Sequence, residues 1–215
     1  MKALLRKEFT LSLFPLPYCF WLLAGLLLIP NYPYFVTFFY AALGVMFLFQ
    51  YNRENRDLNY MMTLPITKGQ MVKARVVQTA AIELGMLVAC LPFMAVRGLY
   101  SFLNNQVGFE ANLALLGLGA AQLGIFNLIF LPGFYRDGRS IGLPFLFGSL
   151  AQAAYMLAME ILLRIVPYFA RWCDRMDLTA QLHQLPVLAV GLAVYALLTL
   201  LALRISIRRF ARIDL

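Results

Sequence analysis

Six stretches of mainly apolar residues, near 13–30, 33–50, 74–96, 111–132, 143–163 and 185–203, take up most of this 215-residue chain. Each is close to the ~20 residues a helix needs to cross a hydrocarbon core ~30 Å thick at ~1.5 Å per residue. Backbone groups in lipid must be satisfied within the chain, so such stretches predict helices. The sequence is 62% apolar and only 13% charged, and a water-facing surface cannot be built from that composition. The reading is an all-α polytopic membrane protein of about six spans, with residues 1–215 forming a single transmembrane domain.

Lys2, Arg6 and Lys7 precede the first stretch as they would in a secretory leader. That stretch is long, lacks a clear small-residue cleavage site and is followed by five more, so it reads as an uncleaved span. Pro15 and Pro17 leave two readings of its start: a kinked span, or a separate interfacial helix over 1–14. The second has Leu5, Phe9 and Leu13 opposite Lys2, Arg6 and Lys7.

Placing the N-terminus in the cytoplasm gathers most of the 18 Lys and Arg on the inner side, leaving Arg97, Arg164, Arg171 and Arg175 outside. The excess of basic residues in short cytoplasmic loops then predicts that both termini are cytoplasmic. The net charge of +8 is a topology signal, spread over short loops that also suit anionic lipid, and no nucleic-acid partner is expected.

The longest inner connection, residues 51–73, is the most informative segment. Leu58, Met61, Met62 and Pro65 repeat at i, i+3, i+4 and i+7, while Arg53, Arg56, Asp57 and Asn59 lie largely elsewhere on the wheel. Residues 54–64 therefore predict a short amphipathic helix that Pro65 terminates. Thr67 with Gln70 forms a capping box, and Ile66 with Met71 the apolar staple around it, so the third helix begins at Lys68. Short helix, Leu64-Pro65 break and capped span make an elbow able to pass force from a cytoplasmic partner into the bundle.

Two smaller connections follow. Residues 133–142 form a polar inner turn, and residues 167–184 place Tyr168, Trp172 and Met176 at spacing four, as an outer interfacial helix would. Within the spans, Glu83 is the clearest ionisable residue at membrane depth, either a carboxyl that locks helices together or one lining a transport path. Glu160 and Arg164 read as an i, i+4 pair, and Gln78, Gln122, Asn127 and Gln152 as helix bridges. Cys19, Cys90 and Cys173 suggest no pairing. With no phosphate loop, no HExxH or GxSxG and a lone His183, the chain is expected to bind no cofactor or metal and to catalyse nothing itself.

Three phrases of this region carry a family resemblance: Glu54-Asn55-Arg56-Asp57, Thr63-Leu64-Pro65-Ile66-Thr67-Lys68, and Val72-Lys73-Ala74-Arg75. In them the chain resembles the small ABC-2-type permeases of bacteria, six-span subunits of about this length. Residues Pro132 to Gly138 resemble the family's second inner turn, with Asp137 where an aromatic is the rule. The resemblance implies residence in the bacterial inner membrane and pairing with a second permease, the same chain or a homologue. It implies two separate ATPase subunits that hold ATP and Mg, and a peptide, drug or other hydrophobic cargo usually moved outward. It assigns ATPase coupling to Arg53, Glu54, Arg56, Asp57, Leu58, Met61, Met62, Leu64 and Pro65, with the elbow at Ile66, Thr67, Gln70 and Met71. A second cytoplasmic contact falls on Tyr135, Arg136, Asp137 and Arg139, and Glu83 becomes a candidate for the path. The alternatives are a substrate-capture subunit of an energy-coupled importer and an integral membrane enzyme.

Overall fold

The structure, a computed structural model, describes residues 4–7, 16–99, 105, 107–175 and 178–213. All regular elements among them are helical. Helix α1 (Leu16–Cys19) passes directly into a 3-10 helix, Phe20–Leu28. After a turn come α2 (Val36–Glu54), α3 (Asp57–Met62), α4 (Lys68–Leu99), α5 (Leu113–Phe134), α6 (Gly142–Ile165), α7 (Pro167–Cys173) and α8 (Leu178–Ala211).

Four helices are long and apolar enough to cross a membrane: α4, α5, α6 and residues Gln181–Ala211 of α8. They correspond to the last four of the six expected spans. The first hairpin differs. Its first arm is largely 3-10, nine residues covering roughly 18 Å at ~2.0 Å each. Its second arm, α2, ends in the polar run Gln50, Asn52, Arg53 and Glu54. Trp21 pins the 3-10 arm to α4 by donating from Nε1 to the Ile82 carbonyl at 2.9 Å, over Gly85. Asn31 takes up a left-handed conformation (φ 57°) in the tight turn at Pro30–Pro33, which an Asn tolerates better than most residues. Of the amino-terminal segment, residues 4–7 form a helical turn that packs Leu4 and Leu5 against the bundle. Lys2, Phe9, Leu13 and Pro15 lie outside the described residues.

Helix α5 is the centre of the bundle, with 72% of its apolar window buried against 11% for α6. It packs most extensively on α8, and the reason is a shared small-residue seam. A Cβ added to Gly191 would stand 2.0 Å from the Gly117 carbonyl oxygen. Such close backbone approach is how helices gain contact in lipid, where no hydrophobic force drives them together.

Two apolar clusters divide the interior. One, at the elbow end, gathers Phe49, Met61, Met71, Phe130, Phe134, Tyr135 and Phe210. The other, at the far end, gathers Phe35, Phe38, Phe109, Leu115 and Leu123. The expected outer helix over 167–184 is instead two pieces, α7 and the first turns of α8. Tyr168 and Trp172 are exposed on α7, while Met176 lies outside the described residues.

Candidate functional site

The elbow begins where α2 ends. Arg56 adopts φ 51°, a left-handed conformation costly for a non-glycine residue, and so turns the chain sharply into α3. The amide of Arg56 bonds the Arg53 carbonyl at 3.0 Å, and that of Tyr60 bonds the Arg56 carbonyl at 3.1 Å. Helix α3 is therefore the core of the expected 54–64 helix, with α2 running on through Glu54. After Pro65 the capping box is present in both directions. The Thr67 amide donates to Gln70 Oε1 at 3.1 Å, and the Gln70 amide to Thr67 Oγ1 at 3.3 Å. Ile66 and the buried Met71 belong to the same apolar cluster, so the joint is packed as well as hydrogen-bonded.

A buried ion cluster bolts α3 to the bundle. The Asp57 carboxylate pairs through one oxygen with Lys7 from the amino-terminal turn, and through the other with Arg75 of α4. Arg75 is 3% exposed, donates to Gln78 Oε1 at 3.3 Å, and lies 5.9 Å over the Phe49 ring. Phe49 in turn packs edge-on against Phe130 and Phe134 of α5. One carboxylate thus links the amino-terminal turn, the elbow and α4. Sequence reasoning met Arg75 in the Val72-Lys73-Ala74-Arg75 phrase and gave it no partner. It stands inside the 74–96 stretch, and the expense of an ionised group there was the available signal for a buried partner.

The expected contact surface is divided. Met61 is 1% exposed and anchors α3 from within, so it does not face a partner. The three apolar side chains share one face of the helix, and the bundle takes up the Met61 part of it while Met62 stays outside. Met62, Asn59 and Tyr60 are exposed, Leu58 and Leu64 half-buried, and Pro65 exposed. Of the second contact, Tyr135 is also interior, packed among Phe49, Phe134 and Phe210. Arg139 comes to the elbow, where its carbonyl accepts from Arg53 Nη1 at 3.2 Å. Together Arg53, Arg56, Leu58, Asn59, Gly138 and Arg139 line a depression of about 250 Å³. Asp137 caps its own turn, its Oδ1 accepting from the Arg139 and Ser140 amides at 2.9 Å each. Arg136 points away from the elbow, toward the end of α8.

Glu83 lies deep in the bundle and is 0% exposed. Its Oε2 accepts from Asn127 Nδ2 at 2.7 Å and from the Tyr195 hydroxyl at 2.8 Å, and the same Asn127 nitrogen donates to Thr199 Oγ1 at 3.1 Å. The cluster joins α4, α5 and α8. Tyr195 and Thr199 were missed from sequence because a neutral hydroxyl within an apolar stretch carries no charge to mark it as costly. The expected pair on α6 is not bonded as such: Arg164 donates to the Val107 carbonyl at 3.0 Å, while Glu160 crowds Gly108. The far end is closed by Arg97, Glu110, Asn112, Asp174 and Gln184. The Glu110 amide bonds Asp174 at 2.7 Å, and Asn112 Nδ2 the Cys173 carbonyl at 2.7 Å. Among the described residues no three His, Cys, Asp or Glu side chains stand together as a metal site requires.

A capped, ion-bolted elbow thus stands at one end of a bundle of apolar helices. Comparisons with characterised proteins and with solved structures returned no significant match. A family model described as ABC-2 family transporter protein matches residues 3–211, nearly the whole chain, and the protein belongs to that family as a multi-pass permease subunit that associates with an ABC ATPase.

Proposed function

We propose that this permease exports its cargo, and that α3 is the element through which ATP hydrolysis on the partner moves the bundle. The observation that carries this is α3 itself. It is a helix of six residues outside the apolar spans, rigidly tied to α2, α4 and the amino-terminal turn, yet leaving Asn59, Tyr60 and Met62 exposed. A surface held this firmly transmits displacement rather than absorbing it. Leu58, Met62 and the neighbouring depression at Arg53, Arg56 and Arg139 form the face offered to the ATPase. Met61 is its internal anchor.

In this reading the first hairpin also crosses the bilayer, giving six spans with both termini in the cytoplasm of a bacterial cell. Two copies, or this chain and a homologue, pair and bind two ATPase subunits, on which ATP and Mg reside. Family members usually move peptides, drugs or other hydrophobic molecules outward, which supports export. Glu83 acts as a clamp between helices, since both of its described hydrogen bonds come from neighbouring helices and none of its surface is exposed.

The test is co-purification with the ATPase together with transport. Leu58→Asp and Met62→Asp place a charge in an apolar contact, where burial without a partner is strongly unfavourable. Each should lower ATPase recovery at least tenfold while membrane insertion is unchanged. Full recovery and full transport in both variants would remove α3 from the coupling role.

A further inference from the structure

At the elbow end of the bundle the turn after α5 meets the last turn of α8. Two adjoining depressions lie there, of about 340 and 520 Å³, and both are lined by Arg136 and Arg209. Arg212 and Ile213 complete the first, and Leu143, Pro144 and Phe147 of α6 wall the second. Arg209 is held in place by its Nη1, which donates to the Pro132 carbonyl at 2.8 Å. Ile213 is fixed too, its carbonyl accepting from Lys68 Nζ. Neither Arg136 nor Arg212 has an acidic side chain as partner among the described residues. The acid in the lining, Asp137, already accepts two backbone amides through Oδ1.

We infer that this groove binds the headgroup of one anionic phospholipid, with its acyl chain lying along Leu143 and Phe147. Three arginines line the two depressions against one acid among the described residues, so the site selects negative charge. The apolar wall decides between lipid and a free anion. Leu143 and Phe147 are 62% and 58% exposed, one helical turn apart, at the start of the membrane-crossing helix α6. They begin where the arginines end, as the acyl region of a lipid begins below its phosphate. The inference is independent of coupling through α3, because the groove shares no residue with the face of Leu58, Met62, Arg53, Arg56 and Arg139; Arg136 and Asp137, which the resemblance gave to a second cytoplasmic contact, are here given to lipid.

The experiment uses the full chain, purified without ATPase, delipidated in detergent and offered equal phosphatidylglycerol and phosphatidylcholine. Retained lipid is read by native mass spectrometry. One phosphatidylglycerol should be held in preference to phosphatidylcholine. Arg136→Gln with Arg212→Gln should lower its retention about thirtyfold, at roughly fivefold per arginine near an anionic lipid. These two side chains make no described hydrogen bond, so the variant keeps the fold, and melting behaviour checks that. Arg204→Gln with Arg208→Gln removes equal charge outside the groove and should leave retention unchanged. Leu143→Ser with Phe147→Ser should weaken phosphatidylglycerol without affecting inorganic phosphate, added as a separate competitor. Equal retention of both lipids, equal loss in both arginine pairs, or displacement of the lipid by millimolar phosphate overturns the proposal. So does a groove variant that keeps its lipid but loses the ATPase, which would make the surface a protein contact.

Discussion

The pair between Asp57 and Arg75 allows a quantitative test of how firmly the elbow is held. Asp57→Asn keeps the shape of the side chain but removes the Asp57 charge from beside Arg75, which is 3% exposed. Breaking one side of a buried pair costs ~3–5 kcal/mol. Arg75 retains Gln78 and the Phe49 ring, which places the cost near the lower figure, ~3 kcal/mol. If the loss falls on the joint, the open population of α3 rises about a hundredfold. Met61→Cys, in a Cys19→Ser background, reports that opening, because Met61 is inaccessible in the closed state. The labelling rate of that thiol should rise by the same factor in Asp57→Asn. Replacing both partners, Asp57→Leu with Arg75→Leu, removes the buried arginine charge as well and should bring the rate back to within about tenfold of the parent. A parental rate in Asp57→Asn would show that the ion cluster does not hold the elbow. A double variant as open as the single would show that the buried arginine charge is not the cause.

Glu83→Gln preserves an acceptor for Asn127 and Tyr195 and should melt within a degree or two of the parent, whereas Glu83→Leu strands the buried Tyr195 hydroxyl and should cost ~1–3 kcal/mol. Normal melting with altered transport in Glu83→Gln would instead place this carboxyl on the path of the cargo. Gly191→Val puts side-chain atoms where a Cβ already stands 2.0 Å from the Gly117 carbonyl oxygen. It should destabilise the α5–α8 seam by at least ~1–3 kcal/mol, and a parental melting temperature would refute that packing. The purified chain, having no phosphate loop, should hydrolyse no ATP; turnover in a preparation free of the partner ATPase would contradict the assignment of hydrolysis to another subunit.

The fold was legible wherever one local rule acted alone. Apolar length located α4, α5, α6 and α8, and the Thr67–Gln70 box marked the first turn of α4 correctly. It was less legible at the first hairpin, where apolar length says only that a segment suits lipid. That the Phe20–Leu28 arm is 3-10 rather than α-helical is not encoded in hydropathy, since both helices satisfy their backbone internally and present similar side chains. Periodicity also mistook the direction of Met61. A 3.6-residue repeat identifies a shared face, but over six residues it does not say whether that face meets a partner or the parent bundle.

The polar interior shows most clearly why the site was only half readable. Asp57 and Arg75 lie 18 positions apart and on different helices, so no sequence spacing relates them, and only the fold makes them neighbours. What the sequence does contain is the cost: an arginine within a predicted span and an aspartate within an amphipathic helix each require an opposite charge if buried. Glu83 follows the same logic. Its expense marked it in the sequence, and its donor Asn127 was read there as a helix bridge, while its second donor Tyr195 and the Thr199 hydroxyl that accepts from Asn127 cost little enough on their own to pass as ordinary span residues. In this chain, then, costly groups identify the places where helices are fixed to one another, and their inexpensive partners become visible only in three dimensions. Arg136 and Arg212 are the informative contrast. They are equally charged but exposed and, among the described residues, without an acidic partner, and it is the anionic lipid proposed above that would use their charge.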